Sequence, residues 1–280
     1  MTTMGPPLVI DGPLPVAPPR SLLNVSGVIV PSGTDRFGVG GAVYPYPPGT
    51  PLAWDPCSTG TFRTKADADD WDLPVFNSFT VYLPMTCSTV TAHSPGFEDR
   101  VRVAFAARES FAVARELARG TANPLNPHFT DASLHILAAA AVTPDVGLSY
   151  LEDAIGATGQ AGMIHATPAV GAAMNGSGGY GLDERQSQLV TTANDTPVAL
   201  DGGYIGAAAS LHAAPAPGQA WAFATGPVQV RRTSDITIIP GDISEATDRS
   251  INEVTFIAER DYLAIWDTQL QAGVLIDWTP

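Results

Sequence analysis

Residues 97–119, FEDRVRVAFAARESFAVARELAR, constrain the fold of this chain more than any other stretch. At about 100° per residue the run sorts into two sides. Arg102, Arg108, Glu109, Arg115, Glu116 and Arg119 cluster on one side, and Val103, Ala106, Ala107, Ser110, Val113, Ala114 and Leu117 occupy the other. Glu98 and Asp99 suit the start of a helix dipole, Arg115 and Arg119 suit its end, and Gly120 supplies the stop. The pattern predicts one helix of about 23 residues, ~34 Å long. Charges above an Ala-rich underside describe a strut.

The remaining segments have to be arranged around that strut. Residues 1–54 are rich in Pro and Gly and read as an extended arm that docks on another element or another subunit, with disorder as the competing reading. An acidic cluster around Lys65, Asp67, Asp69, Asp70 and Asp72 reads as an exposed loop, followed by an alternating strand over 75–83. Beyond the strut, 130–142 and 145–155 are expected as helices, 162–167 as a short buried strand and 168–174 as a helix opened by Pro168. From Leu189 onward the pattern is short strands: 189–192, 196–200, 220–225, 228–232, 236–239, 252–258 and 264–276.

Composition narrows the function classes. Twenty-eight acidic residues stand against 14 basic ones, for a net charge of −14, and Lys65 is the single lysine. That balance argues against a protein that grips nucleic acid through phosphates. Only 15% of residues are charged, against roughly 25% for an average soluble domain. A chain so poor in charge is expected to cover part of its surface with other copies. The start of the sequence shows no basic-then-apolar leader, and no apolar run reaches membrane-spanning length, so a cytoplasmically made protein with no membrane partner is expected.

No catalytic constellation emerges. Ser177 in NGSGG lacks the strand–turn–helix setting of a nucleophile elbow. His93, His128, His135, His165 and His212 show no zinc spacing, and His165 reads as a satisfied core histidine. The Asp67–Asp72 run lacks the glycine and the closing glutamate of a calcium loop. Gly38-Val39-Gly40-Gly41 has no following phosphate-loop lysine. Cys57 and Cys87 are either two thiols or one bridge. Neither an enzyme nor a cofactor is expected.

The order of these elements resembles the major capsid proteins of tailed bacteriophages, whose α+β fold encapsulin shells share. Residues 97–119 look like that family's spine helix, 55–82 like its extended loop, and GMIHATPAVGAAM (162–174) like an axial-domain strand and helix. The stretch Asp195–Gly206 looks like a strand, turn and strand of the same domain, and 253–262 with 272–276 like a closing pair of peripheral-domain strands. The resemblance implies an arm over 1–54, extended loop and strand over 55–96, spine helix over 97–130, axial domain over 131–235 and closing peripheral strands over 236–280. It further implies a virion shell subunit forming pentamers or hexamers. Its partners would be copies of itself and other capsid or portal proteins, around packaged DNA that is enclosed but not specifically bound. The arm is longer than in simple family members and no scaffolding segment is evident, which leaves a pentamer-dedicated or minor capsid relative open. A decoration, connector or tail component and an encapsulin-like compartment are the alternatives. Lys65, Asp67, Asp69, Arg108, Glu109, Arg115 and Glu116 are the expected subunit-interface residues, pairing within or between subunits, and a net −14 is expected to keep the inner surface from gripping DNA.

Overall fold

The computed structural model describes residues 14–30, 41–42, 75–88, 96–176, 183–186, 189–207, 214–241, 243–248 and 250–279. Lys65, Asp67, Asp69, Cys57 and most of the expected extended loop lie outside them, as does much of the arm. In chain order the elements begin with α1 (Leu22–Val25), β1 (Gly27–Ile29), β2 (Gly41–Ala42), β3 (Val75–Phe76) and β4 (Phe79–Ser88). Next come α2 (Phe97–Ala106), α3 (Glu109–Arg119), β5 (His135–Ile136), α4 (Pro144–Thr158), β6 (Met163–Ala166) and α5 (Pro168–Gly176). Then follow β7 (Asp183–Gln186), β8 (Leu189–Thr191), β9 (Pro197–Leu200), a 3-10 turn (Gly202–Tyr204), β10 (Gln219–Thr225), β11 (Val228–Arg232) and β12 (Thr237–Ile239). The last elements are α6 (Ile243–Ala246), β13 (Thr247–Asp248), β14 (Glu253–Trp266) and β15 (Gln271–Asp277).

Two sheets organise the chain. The first is built on β14, whose 14 residues alternate so that Val254, Phe256, Ala258, Tyr262 and Trp266 are buried on one face. Strand β4 runs antiparallel along residues 253–262 of one edge. Strands β11, β12 and β13 share the other edge, and β1 adds to β11 in parallel. The second sheet has the order β5-β15-β10-β6-β9-β8-β7. Its interior strand β10 is buried on both faces: Ala220, Ala222 and Ala224 meet α4 and α5, while Trp221 and Phe223 meet the core beneath α3. Small residues on one side and aromatics on the other let helices close down on both faces of one sheet.

Three expectations need correction. The strut is two helices, not one, broken at Ala107–Arg108. Phe97, Val101 and Phe105 pack α2 on Val254, Phe256 and Ala258, whereas Val113, Ala114 and Leu117 pack α3 into the core with Phe129, Tyr204 and Trp221. A straight rod does not serve both cores, so the chain tightens where the Arg108 N–H donates to the Phe105 carbonyl at 2.9 Å.

Residues 130–142 form no helix. Their backbone is claimed by β15: Leu137 N–H donates to the Gly273 carbonyl and Val142 N–H to that of Leu275, both at 2.9 Å. Finally, 253–262 and 272–276 are not a pair in one sheet. Strand β14 belongs to the first sheet and β15 to the second, where it pairs with β10. The chain thus crosses between sheets three times, from β4 to β5, from β10 to β11 and from β14 to β15, so neither 131–235 nor 236–280 coincides with one sheet. The nearly continuous burial of Gln271–Ile276 fits a strand covered on both faces.

Candidate assembly site

Helix α3 is the piece on which the two sheets, the arm and the surrounding loops converge. Its first residue, Glu109, is 7% exposed. Its carboxylate accepts from Arg260 Nη1 at 2.8 Å and also from Arg232 Nη1 and the Tyr262 hydroxyl. Arg260 in turn reaches the Ser234 carbonyl at 3.1 Å. Burial foremost, and then the Glu109 charge, push the Tyr262 phenol well above its ordinary range. These groups bolt the start of α3 to β11 and β14, and the carboxylate also suits a helix N-terminus.

One turn from the other end, Glu116 is also buried, at 6% exposure. It accepts from Ala122 N–H at 2.7 Å, Asn123 N–H at 2.9 Å and the Thr121 hydroxyl at 3.0 Å. Gly120, at φ +59°, ends the helix in the left-handed region and turns these donors back toward Glu116. Asn126, in the same loop, accepts from Asn77 N–H between β3 and β4 and donates to its carbonyl.

A third carboxylate holds the arm. Asp201, 3% exposed, accepts from the Ser110 hydroxyl at 2.8 Å, Leu22 N–H at 3.2 Å and Gly203 N–H at 3.0 Å. The Ser110 oxygen also accepts from Leu23 N–H, and Arg20 offers its carbonyl to Leu200 N–H. Leu22 and Leu23 are buried beside α3 as a result. The 3-10 turn comes so close to α3 that a methyl at Gly203 would lie 2.4 Å from the Phe111 carbonyl, so only glycine fits.

His165 is the satisfied core histidine that its apolar strand suggested. It is fully buried, with Nδ1 3.0 Å from the Tyr204 hydroxyl and Nε2 3.0 Å from Thr225 Oγ1. The Thr225 hydroxyl proton is spent on the Gly226 carbonyl at 2.8 Å. Thr225 therefore accepts from Nε2–H, and Tyr204 donates to Nδ1. Burial pushes this imidazole down to about 3. The unfolded chain, with an ordinary histidine near 6.5, then binds more protons between those values. Stability is complete above about pH 6.5 and falls as the pH drops toward 3, losing about 2 kcal/mol at pH 5. Thermal melts between pH 7 and 5 should show this slope, and His165→Gln should flatten it. An equal slope in both proteins would assign the loss to other groups.

The expected interface residues thus divide. Glu109 and Glu116 are not surface groups; their partners lie within the chain, because backbone and arginine donors converge on them there. Arg108 and Arg115 are exposed, and the Arg115 guanidinium lies 5.7 Å from the Phe111 ring centroid. Sequence reasoning missed Asp201, for which the signal was an aspartate just before the Gly-Gly that makes a tight turn. Arg260 and Tyr262 were likewise missed; the signal was their place on the buried face of an alternating strand. No group of three or more His, Cys, Asp or Glu residues is placed to hold a metal among the described residues, and no described helix is long and apolar enough to cross a membrane.

The sequence matches no protein-family model and no curated protein. Solved structures do match the fold. A chain from Mycobacterium phage Bobi is similar with a TM-score of 0.54 and 12% identity, covering 99% of this chain and 96% of its own. A chain of the capsid of an empty GTA particle is similar at 0.52 and 14% identity, with the same coverages. A chain from Gordonia phage Cozz is similar at 0.51 and 16% identity, over 90% of this chain and 84% of its own.

Proposed function

This chain has the α+β capsid fold of the tailed bacteriophages, and from that premise we propose that it is a structural subunit of a phage capsid shell. The observation that carries the proposal is the likeness to a capsid chain over 99% of the present one. The first sheet with α2 serves as the peripheral unit, the second sheet with α4 and α5 as the axial unit, and α3 as the strut between them. Copies of the chain are the principal partners, the virion is the place of action, and the role is structural, not catalytic.

Two features support self-association. The carboxylates of α3 are used up internally, which makes the subunit a rigid block. The arm before Arg20 carries Leu14 and Val16 at 70% and 84% exposure, apolar groups that a neighbour would cover. Rings of five or six need head-to-tail contacts whose rotation closes. Mass photometry and negative-stain microscopy of the purified protein over a range of concentrations are expected to show such rings or closed shells. A compact monomer near 29 kDa at every concentration would sink the reading.

A further inference from the structure

The first sheet and the helices on it form a two-layer slab whose broad sides carry opposite charge. On the helix side, Glu109 and Glu116 turn inward, so the outward charges of α3 are arginines: Arg108 and Arg115 stand exposed on either side of Phe111, itself 45% exposed. The outward charges of α2 largely cancel, since Arg102 pairs with Glu98 at 3.4 Å and Asp99 at 3.5 Å. On the opposite side, the residues of β14 that alternate away from the helices include Glu253, Glu259 and Asp261. Beside them on β4 lie the hydroxyls of Thr80, Thr86 and Ser88 and the 65%-exposed Tyr82. Among the described residues of these strands, Arg231 is the basic residue of that face, farther along beside Leu263. Among the described residues of this slab, a positive stripe therefore lies on one broad side and negative groups on the other.

In a shell one subunit thick, contacts between copies use the edges of such a slab, and its broad sides become the inner and outer surfaces. Enclosed nucleic acid is a polyanion, repelled by Glu253, Glu259 and Asp261 and attracted to α3. We infer that the helix side of the slab faces the enclosed nucleic acid and that Arg108 and Arg115 contact its phosphate backbone. The inference rests on the shell reading above. It replaces the expectation that net charge alone keeps the inner surface away from DNA, because the charges are segregated by layer. The two arginines are seven residues apart on one helix, about 10.5 Å at 1.5 Å per residue, a span of about three nucleotides along one strand. Phe111 holds the Arg115 guanidinium above its ring and keeps it directed outward. Contacts to phosphate carry no sequence information, so the surface accepts any duplex.

The test uses closed shells and dissociated subunits of the full chain with Cys57 and Cys87 replaced by serine. Arg108→Cys and Thr255→Cys, on opposite sides of the slab, are each treated with a maleimide too bulky to enter a shell. Both are expected to react in dissociated subunits, but only Thr255→Cys in closed shells. Binding of a fluorescent 30-base-pair duplex to subunits is then measured across salt concentrations. Arg108→Gln/Arg115→Gln should reduce the log–log salt slope by about 2, as loss of two phosphate contacts requires. Reaction of Arg108→Cys on closed shells would overturn the inward orientation. A protected Arg108→Cys with an unchanged salt slope would overturn the phosphate contact and assign the stripe to a contact between copies. Failure of the wild-type chain to form any shell would instead remove the shell reading, and this inference with it.

Discussion

Glu109→Ala is expected to be the most damaging single substitution on the surface-patterned side of the strut, lowering stability by about 3–5 kcal/mol. In thermal melts of a chain this size that is roughly a 10 °C drop. The magnitude follows from what is left behind. Arg260, with its side chain 9% exposed, and Arg232, at 27%, lose their shared counter-charge, and the buried Tyr262 hydroxyl loses its acceptor. An uncompensated buried guanidinium costs far more than the net worth of the pair it came from. The same physics predicts that Glu109→Leu/Arg260→Met is less unstable than Glu109→Ala alone, since no charge is then stranded on the β14 side. A Glu109→Ala melt within about 2 °C of wild type would show that water reaches the cluster and that α3 is anchored elsewhere.

Asp201→Ala is expected to free the arm. Its carboxylate is the shared acceptor for Leu22 N–H, the Ser110 hydroxyl and Gly203 N–H. Hydrogen bonds to a charged group contribute about 1.5–3 kcal/mol each when broken singly, though three on one carboxylate will not add. The loss should appear locally first. Arg20 is the basic residue just ahead of the docked segment, and trypsin should cut after it at least about tenfold faster in the variant, because local opening sets access. Asp201→Asn, which keeps a side-chain oxygen, should fall between. If trypsin cut wild type and Asp201→Ala at the same rate, Leu22 and Leu23 would hold the arm by packing alone. In the shell role proposed above, this anchor would fix where the exposed residues before Arg20 leave the subunit.

The division between Glu109 and Arg108 shows how far a helical wheel reaches. Both project to the charged side at about 100° per residue, and the wheel assigns them one environment. In the structure Arg108 caps the start of α3 in solvent, while Glu109 is buried among Arg232, Arg260 and Tyr262. The wheel fails because it assumes a straight helix, and this one breaks at Ala107–Arg108. The break comes from packing against strands more than 100 residues away, which no local window contains. The expected helix over 130–142 failed similarly: its alanines favour helix locally, but the carbonyls of Gly273 and Leu275 offer its backbone a better set of partners.

By itself the sequence determined the local grammar: where α4 and α5 begin, the alternating strands, the apolar underside of α3 around Val113, Ala114 and Leu117, and the order of elements that pointed to the capsid fold. Those are properties of neighbours in the chain, set by side-chain period, caps and glycine stops. The tertiary structure alone decided which sheet each strand joins, which of the strut's charges are buried, that Asp201 holds the arm, and that positive and negative charge lie on opposite broad sides. Each of those depends on groups far apart in sequence meeting at about 3 Å, where a carboxylate's worth is set by its partners and its distance from water.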